Sequence, residues 1–365
     1  ANQRTRNEWT VTKYDGLGRA VLTGLWNNGG TAISRTNLQA QVNGVTTLWE
    51  TRNGTAGNGY TNAAWPTTAI GTTLSLHYYD NYNLPLSPPA AFKPTGYSTA
   101  TQGLATATLT KVLGAGTGTA NMLWEVMHYD ALGQVVRLFR QHYKGAAVNA
   151  TNYDDIADTY TFSGRPEKSV RNHYATGAAT VTVTTEYSYD HRDRLVDTWK
   201  TVKEGGTQGA RTLIARNEYN EIGQLKRKNL HGTAGGYAQS VAYGYNERGW
   251  LRTAEAGLFK QELQYNTGTV KYHNGNIAYQ VFKRRNLQNT EVTETYSYGY
   301  DRLNRLTSGT LGSGRGKEEL SYDRLGNIQT LKRTGTSSAY VDDLLYTYTS
   351  KGQLGSVKDA LTGTA

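Results

Sequence analysis

A seven-residue pattern recurs along this 365-residue chain, and it restricts the fold more than any other feature. The pattern is Tyr, Asp or Asn, two free residues, Gly, one free residue, then an aliphatic residue. It reads YDGLGRA from Tyr14, YDALGQV from Tyr129, YDHRDRL from Tyr189, YNEIGQL from Tyr219 and YNERGWL from Tyr245. YDRLNRL from Tyr300 and YDRLGNI from Tyr322 continue it. YTFSGRP from Tyr160 and YTSKGQL from Tyr348 are weaker copies, and YDNYNLP from Tyr79 is weaker still. YHNGNI from Tyr272 reads as a copy shortened by one residue. From Tyr129 to Tyr245 the steps are 31, 29, 30 and 26 residues. Self-similarity at such a period marks an array of supersecondary units.

Each slot has a physical meaning. The fifth holds Gly18, Gly133, Gly164, Gly223, Gly249, Gly326 and Gly352, with Asp193, Asn304 and, in the weak copy, Asn83. Gly, Asn and Asp are the residues that tolerate a positive φ, so this is a backbone slot. A β-branched residue there, such as Gly223→Val, is expected to cost about 1 kcal/mol or more. The second slot holds Asp15, Asp130, Asp190, Asn220, Asn246, Asp301 and Asp323, side chains that cap a turn by accepting backbone N–H bonds. A hairpin on a type I turn closed by a left-handed residue uses this chemistry. The flanks EYSYD, AYGYN, YSYGYD and LYTYT alternate Tyr with small or polar residues, the period of a half-buried strand. QVVRLFRQHY and RLVDTWKTV after the turns are rich in β-formers. No stretch reads as an amphipathic helix, and even ANMLWEVMHY alternates as a strand does.

Residues 20–125 differ. They hold Trp26, Trp49, Trp65 and Trp124, five of the six prolines, and soft tracts such as NGTAGNG and GAGTGTAN. LPLSPPAAFKPTG is expected to be an irregular loop. The expected organisation is an atypical N-terminal region or cap over residues 1–125, a repeat sheet over 126–357, and a tail or truncation point at 358–365. Arrays need such atypical ends to cover their edges.

YDALGQVVR, YNEIGQLKRKN, YDRLNRLT and YDRLGNIQTL resemble the YD repeats of the RHS (rearrangement hotspot) family, over roughly Met127 to Val357. YYDNYNLP and GLATATLTKVLG are similar to the opening region of bacterial members. The resemblance implies an all-β fold of antiparallel hairpin repeats, a spiral sheet wound into a hollow shell, of which this chain could be only part. In polymorphic toxins of the family the shell encapsulates a C-terminal toxin; teneurin-like members use it in cell-surface adhesion. Similar proteins of gliding Gram-negative bacteria leave through a type 9 secretion system. The implied partners are the remainder of the same chain, a secretion translocon or cell-surface glycans, and the implied location is secreted or on the bacterial surface. One departure is the missing Asp-Pro-x-Gly core: no Asp-Pro occurs and no proline follows Pro166. With SVKDALTGTA so close to the last repeat, the expectation is a fragment or truncated chain without core or toxin. ANQRTRNEWT lacks the apolar stretch of a signal peptide, so a leader has been removed or the piece is internal.

The remaining chemistry points away from catalysis. The chain has no Cys, which removes disulfides and thiolate metal sites. Its net charge of +10 is scattered, with short clusters at Lys226–Lys228 and Lys283–Arg285, so nucleic-acid binding is not expected. No apolar run reaches the roughly 18–20 residues of a membrane span. His191-Arg192-Asp193 mimics a kinase catalytic loop, but Thr198 stands where Asn is needed and Asp193 aligns with the turn Gly of sister repeats. GSGRGKEEL has Leu311 where a phosphate loop needs Gly and Glu318 where it needs Ser or Thr. His77, His128, His142, His173, His191, His231 and His273 are dispersed, and Asp154-Asp155 with Asp158 reads as a solvated loop. Turn capping accounts for the Asp and Asn residues without Ca²⁺. No Gly-x-Ser-x-Gly occurs. The leading expectation is therefore a non-enzymatic structural segment without cofactor or metal. A second reading is an adhesion or glycan-binding module, with Trp26, Trp49 and Trp65 as contacts. A third is a hydrolase hidden in residues 1–125.

Overall fold

A computed structural model describes residues 6–54, 56–68, 70–114, 121–286, 288–312, 315–335 and 337–361. The chain divides into two compact units, Ala1–Thr212 and Leu213–Ala365. Both are built almost wholly from antiparallel strands. The first holds β1 (Glu8–Tyr14), β2 (Ala20–Asn27), β3 (Thr72–Tyr79), β4 (Ala105–Lys111), β5 (Met122–Tyr129), β6 (Val135–Gln141), β7 (Tyr153–Tyr160), β8 (Pro166–Tyr174), β9 (Val181–Tyr189), β10 (Leu195–Glu204) and the short β11 (Thr207–Gln208). The second holds β12 (Thr212–Tyr219), β13 (Leu225–Thr233), β14 (Gly236–Tyr245), β15 (Leu251–Ala256), β16 (Phe259–Gln264), β17 (Tyr279–Arg285) and β18 (Glu291–Tyr300). It continues through β19 (Leu306–Leu311), β20 (Glu318–Tyr322), β21 (Ile328–Thr334), β22 (Tyr340–Tyr348) and β23 (Leu354–Asp359). Within each unit every strand pairs antiparallel with the next in sequence.

Register explains the spacing of the pattern. The repeat Tyr faces the seventh slot, as in Tyr129↔Val135 and Tyr245↔Leu251. The ladder then shifts by one residue beside that Tyr. This is the bulge that a left-handed residue at the end of a hairpin turn produces. Alternation is restored beyond it, so the two strands keep the same faces.

The apolar core sits early in the chain. Val21, Leu22, Tyr60, Leu76, Tyr78, Phe92, Ala107, Leu109, Met122, Trp124, Val126 and Phe139 form one buried cluster. Residues 84–96 contain no strand, as their prolines require, but a 3₁₀ turn at Ala90–Phe92 drives Phe92 into that core. Its ring stacks on Phe139 at 5.1 Å and meets Tyr153 edge-on at 5.1 Å. The second unit has few fully buried apolar side chains: Leu213, Ala254, Leu263, Tyr265, Ala278 and Leu331.

Several sequence expectations need correction. Among the described residues one α-helix is present, α1 (Arg35–Asn43), with Ser34 Oγ accepting from Asn37 N–H at 3.2 Å and the Gly44 N–H closing its other end. None of its residues is buried, so it has no apolar stripe to read in the sequence. Asp154, Asp155 and Asp158 are not a solvated loop but lie in β7, where Asp155 is buried against Arg137. Asn83 does not fill a left-handed slot; Asp80 does, at φ 73°, and the chain returns only at Gly103 and Ala105. The copy at Tyr79 is thus a turn opened by an insertion between its Tyr-Asp half and its Gly-x-aliphatic half.

Candidate functional site

The repeated turn is the chain's most regular constellation. In the copy at Tyr189, the Asp190 N–H donates to Arg194 O at 3.0 Å and the Asp193 N–H to Asp190 O at 3.0 Å. Asp190 Oδ1 accepts from the Arg192 and Arg194 N–H groups at 2.9 and 3.1 Å, while Arg194 Nε donates to Oδ2 at 2.7 Å. Asp15, Asp130, Asp301 and Asp323 accept equivalent pairs, and Asn220 and Asn246 use their amide oxygens. In the weaker copies the hydroxyls of Thr161 and Thr349 stand in. Gly18, Gly133, Gly164, Asp193, Gly223, Gly249, Asn304, Gly326 and Gly352 all have φ between 57° and 93°. The Arg194 bond, with the backbone donors behind it, holds the Asp190 carboxyl down at about 2. Arg305 N–H and side-chain bonds lower Asp301, and the Asn327 amide lowers Asp323. At Asp15 burial pushes upward, but the bonds from Arg19 and Leu17 outweigh it. His191 and Arg192 occupy the two exposed free slots.

Sequence reasoning missed what the tyrosines do. Within the two units, nine strand-end Tyr hydroxyls donate to the seventh-slot carbonyl of the preceding turn. In the first unit Tyr79 reaches Ala20 O (3.0 Å), Tyr129 reaches Ala105 O (2.5 Å), Tyr160 reaches Val135 O (2.8 Å) and Tyr189 reaches Pro166 O (2.7 Å). In the second unit Tyr245 reaches Leu225 O (2.9 Å) and Tyr265 reaches Leu251 O (2.7 Å). The row continues with Tyr300 to Ile277 O (3.2 Å), Tyr322 to Leu306 O (2.8 Å) and Tyr348 to Ile328 O (2.8 Å). Tyr265 therefore holds the position assigned above to Tyr272, and the turn that ends at Gly275 and Ile277 is a second opened copy. The surviving signal in both opened copies is the half-motif, QGLA at 102–105 and NGNI at 274–277. A further copy of the turn lacks Tyr and Gly altogether. Asn286 caps it through Gln288 and Thr290, with Asn289 at φ 58°.

Of the three tryptophans singled out, two serve packing. Trp26 is buried, donates Nε1–H to Thr68 Oγ1 at 2.9 Å and lies 4.9 Å edge-on to Trp65. Trp49 is 50% exposed and borders a cavity of about 300 Å³ with Asp15, Arg19, Arg52, Tyr60 and Asp80. Arg19 joins Asp15 and Asp80 at 2.7 Å each. The Arg52 guanidinium lies 4.7 Å from the Tyr78 ring centre, and its buried Nη1 has no hydrogen-bond partner among the described residues. Behind this cavity Lys13 and Glu50 form a buried ion pair at 2.9 Å. Lys13 also donates to Asn62 Oδ1 and Ala64 O, and Glu50 accepts from Thr61, Ala63 and Ala64. Their bonding is thus internal and clamps Glu50 and residues 61–64 onto β1.

The other sequence candidates resolve locally. His142 and His173, 31 residues apart, are brought together with their rings stacked at 4.6 Å. Arg227 of the first basic cluster and Lys283, Arg284 and Arg285 of the second line one cavity in the second unit, where Lys260–Glu255, Lys283–Glu291 and Arg284–Glu294 are ion-paired across strands. Lys317 of GSGRGKEEL pairs with Glu319 at 2.8 Å, while Ser313 and Gly314 lie outside the described residues, as do residues 115–119 of GAGTGT and Thr55 of NGTAGNG.

No family model matches the sequence. No curated protein matches it either. Among solved structures, the chain is similar to the crystal structure of TcdB2–TccC3 without its hypervariable C-terminal region, at 15% identity and a TM-score of 0.46. The alignment covers 95% of this chain and 18% of that one. It is also similar to the Photorhabdus luminescens Tc holotoxin pore carrying a TccC3 substitution, at 13% identity and a TM-score of 0.38, covering 96% and 18%. The chain thus spans about a fifth of the length of these structures.

Proposed function

We propose that this chain is a structural stretch of β-shell wall in a larger RHS-like YD-repeat protein, without a catalytic site of its own. The row of tyrosine-to-carbonyl bonds carries the reading. Within each unit it ties hairpin to preceding hairpin, a purely structural use of the hydroxyls. The few buried apolar side chains of the second unit support it too, because a sheet with little covering leaves a wet face suited to enclosing cargo. Among the described residues β1 pairs only with β2, and β23 only with β22. Such open edges invite further strands from the same protein or a partner. The cargo is the remainder of a longer secreted or surface chain. Digesting the natural full-length protein with a nonspecific protease tests this. The segment beyond the repeats should survive as long as the sheet is folded, and cutting it while the repeats stay intact would overturn the reading.

A second reading, glycan binding, is favoured by one observation. Trp49 offers an open ring face beside the Arg52 guanidinium, a pairing suited to a sugar ring and its hydroxyls. Binding on a glycan array that is lost with Trp49→Ala, while Arg52→Gln weakens it, would support that use. Binding indifferent to both would end it.

A further inference from the structure

We propose that His142, Asp154 and His173 form a site for a divalent transition-metal ion of the Zn²⁺ type. His142 follows β6, Asp154 lies in β7 and His173 in β8. Asp154 and His173 are direct cross-strand partners, and Arg140 faces Asp154 from the other side. Alternation along the strands puts His142, Asp154 and His173 on one face. One ligand atom from each lies within 4.8 Å of the others. A tetrahedral site with bonds of about 2.0–2.1 Å needs its ligands about 3.3 Å apart, so binding requires the stacked His142 and His173 rings to turn until their in-plane lone pairs converge on one ion.

The surroundings orient these groups as the supporting shell of a metal site does. His142 Nε2 lies 3.0 Å from Tyr174 O. A carbonyl can only accept, so Nε2 carries the proton and Nδ1 is left with its lone pair. Asp154 Oδ2 is held by Arg171 at 2.8 Å, while Oδ1 accepts from His173 Nδ1 at 2.7 Å. A cation replaces the proton between these two atoms. That proton moves to His173 Nε2, so the ring stays neutral and its Nδ1 becomes a ligand. The ion then has two imidazole nitrogens, one carboxylate oxygen and a water in the fourth position. Two imidazoles with one carboxylate suit a borderline ion better than Ca²⁺ or Mg²⁺, which want oxygen alone. His173 remains 35% exposed, so an ion can enter from solvent.

The test is isothermal titration of the intact chain with ZnCl₂ in a non-chelating buffer, with MgCl₂ and CaCl₂ in parallel. The expected result is one Zn²⁺ per chain and no response to Mg²⁺ or Ca²⁺. His142→Ala and His173→Ala should each weaken binding at least tenfold, whereas His191→Ala, in an exposed turn, should leave it unchanged. His142→Gln, measured with its metal-free melting temperature, guards against a variant that fails to fold. Absence of Zn²⁺ binding to the unaltered chain, or binding indifferent to His142→Gln in a folded variant, overturns the proposal.

Discussion

Replacing Gly133 separates the backbone role of the fifth slot from every side-chain effect. Gly133 has φ 79°, and an added Cβ would meet only Leu104 Cδ1, at an ordinary 3.8 Å. Crowding is therefore absent, and Gly133→Ala is charged only for left-handed backbone. That costs about 1–2 kcal/mol for an L-residue. The loss of unfolded-chain freedom returns about 0.4–1 kcal/mol. The net is a destabilisation of about 1 kcal/mol, or about 2–4 °C in a unit of this size. Gly133→Asn should lose less than half of that, because Asn304 already holds the same slot at φ 63°. Urea unfolding followed by tryptophan fluorescence reads both, since Trp26 and Trp124 are buried in this unit. Equal losses for Ala and Asn, or no loss for Ala, would refute the claim that φ alone selects the residue.

Three further outcomes test the rest. Tyr245→Phe removes one hydroxyl bond to Leu225 O and should cost about 1 kcal/mol in urea unfolding of the second unit, with the strand content seen by circular dichroism unchanged. Acid should weaken the fold through the turn carboxylates. Asp190 titrates lower in the folded state, at about 2, than unfolded, so it stabilises above its ordinary value and that contribution disappears as pH falls from about 4 through about 2. Asp190→Asn should flatten this part of the stability–pH curve yet keep the turn, since Asn220 and Asn246 already cap sister copies. Glu50→Ala strands the buried Lys13 charge and should cost about 3–5 kcal/mol by thermal melting, whereas the Lys13→Met, Glu50→Leu pair should cost much less.

The turns were legible because their requirements are local. A left-handed slot admits Gly, Asn or Asp, and a capping slot admits Asp, Asn or Thr, wherever the copy falls. What was illegible depends on partners one repeat away. A strand Tyr at period two looks the same whether or not its hydroxyl reaches the preceding hairpin, so the row of bonds left no trace in a single copy. The opened copies hid for a related reason: insertions separate Tyr79 from Ala105 and Tyr265 from Ile277, while the hydroxyl bonds to Ala105 and Ile277 persist. Asp154 looked solvated because its pairing with Arg171 and His173 comes from strand register, not from sequence proximity. His142 and His173 did carry a signal, since their spacing of 31 residues equals the step from Tyr129 to Tyr160. Equivalent positions in successive repeats become neighbours across the sheet.

That spacing rule also bears on why the chain carries 27 Tyr and only 5 Phe. A sheet with little apolar covering cannot rely on burial. In the second unit few large apolar side chains are fully buried. Five tyrosine hydroxyl bonds join its consecutive hairpins. At about 1 kcal/mol each they contribute about 5 kcal/mol, the scale of a whole domain's net stability. Phe would keep the half-buried ring and lose that term at every repeat. The division of labour follows: Asp and Gly make each turn, and Tyr ties it to the turn before. Aliphatic residues in the fourth slot play no part in either task, since Leu17, Leu132, Ile222, Leu303 and Leu325 are 69–83% exposed at the turn tips. A sheet stabilised along its own plane in this way can leave a face open to water, which a core-stabilised sandwich does not allow.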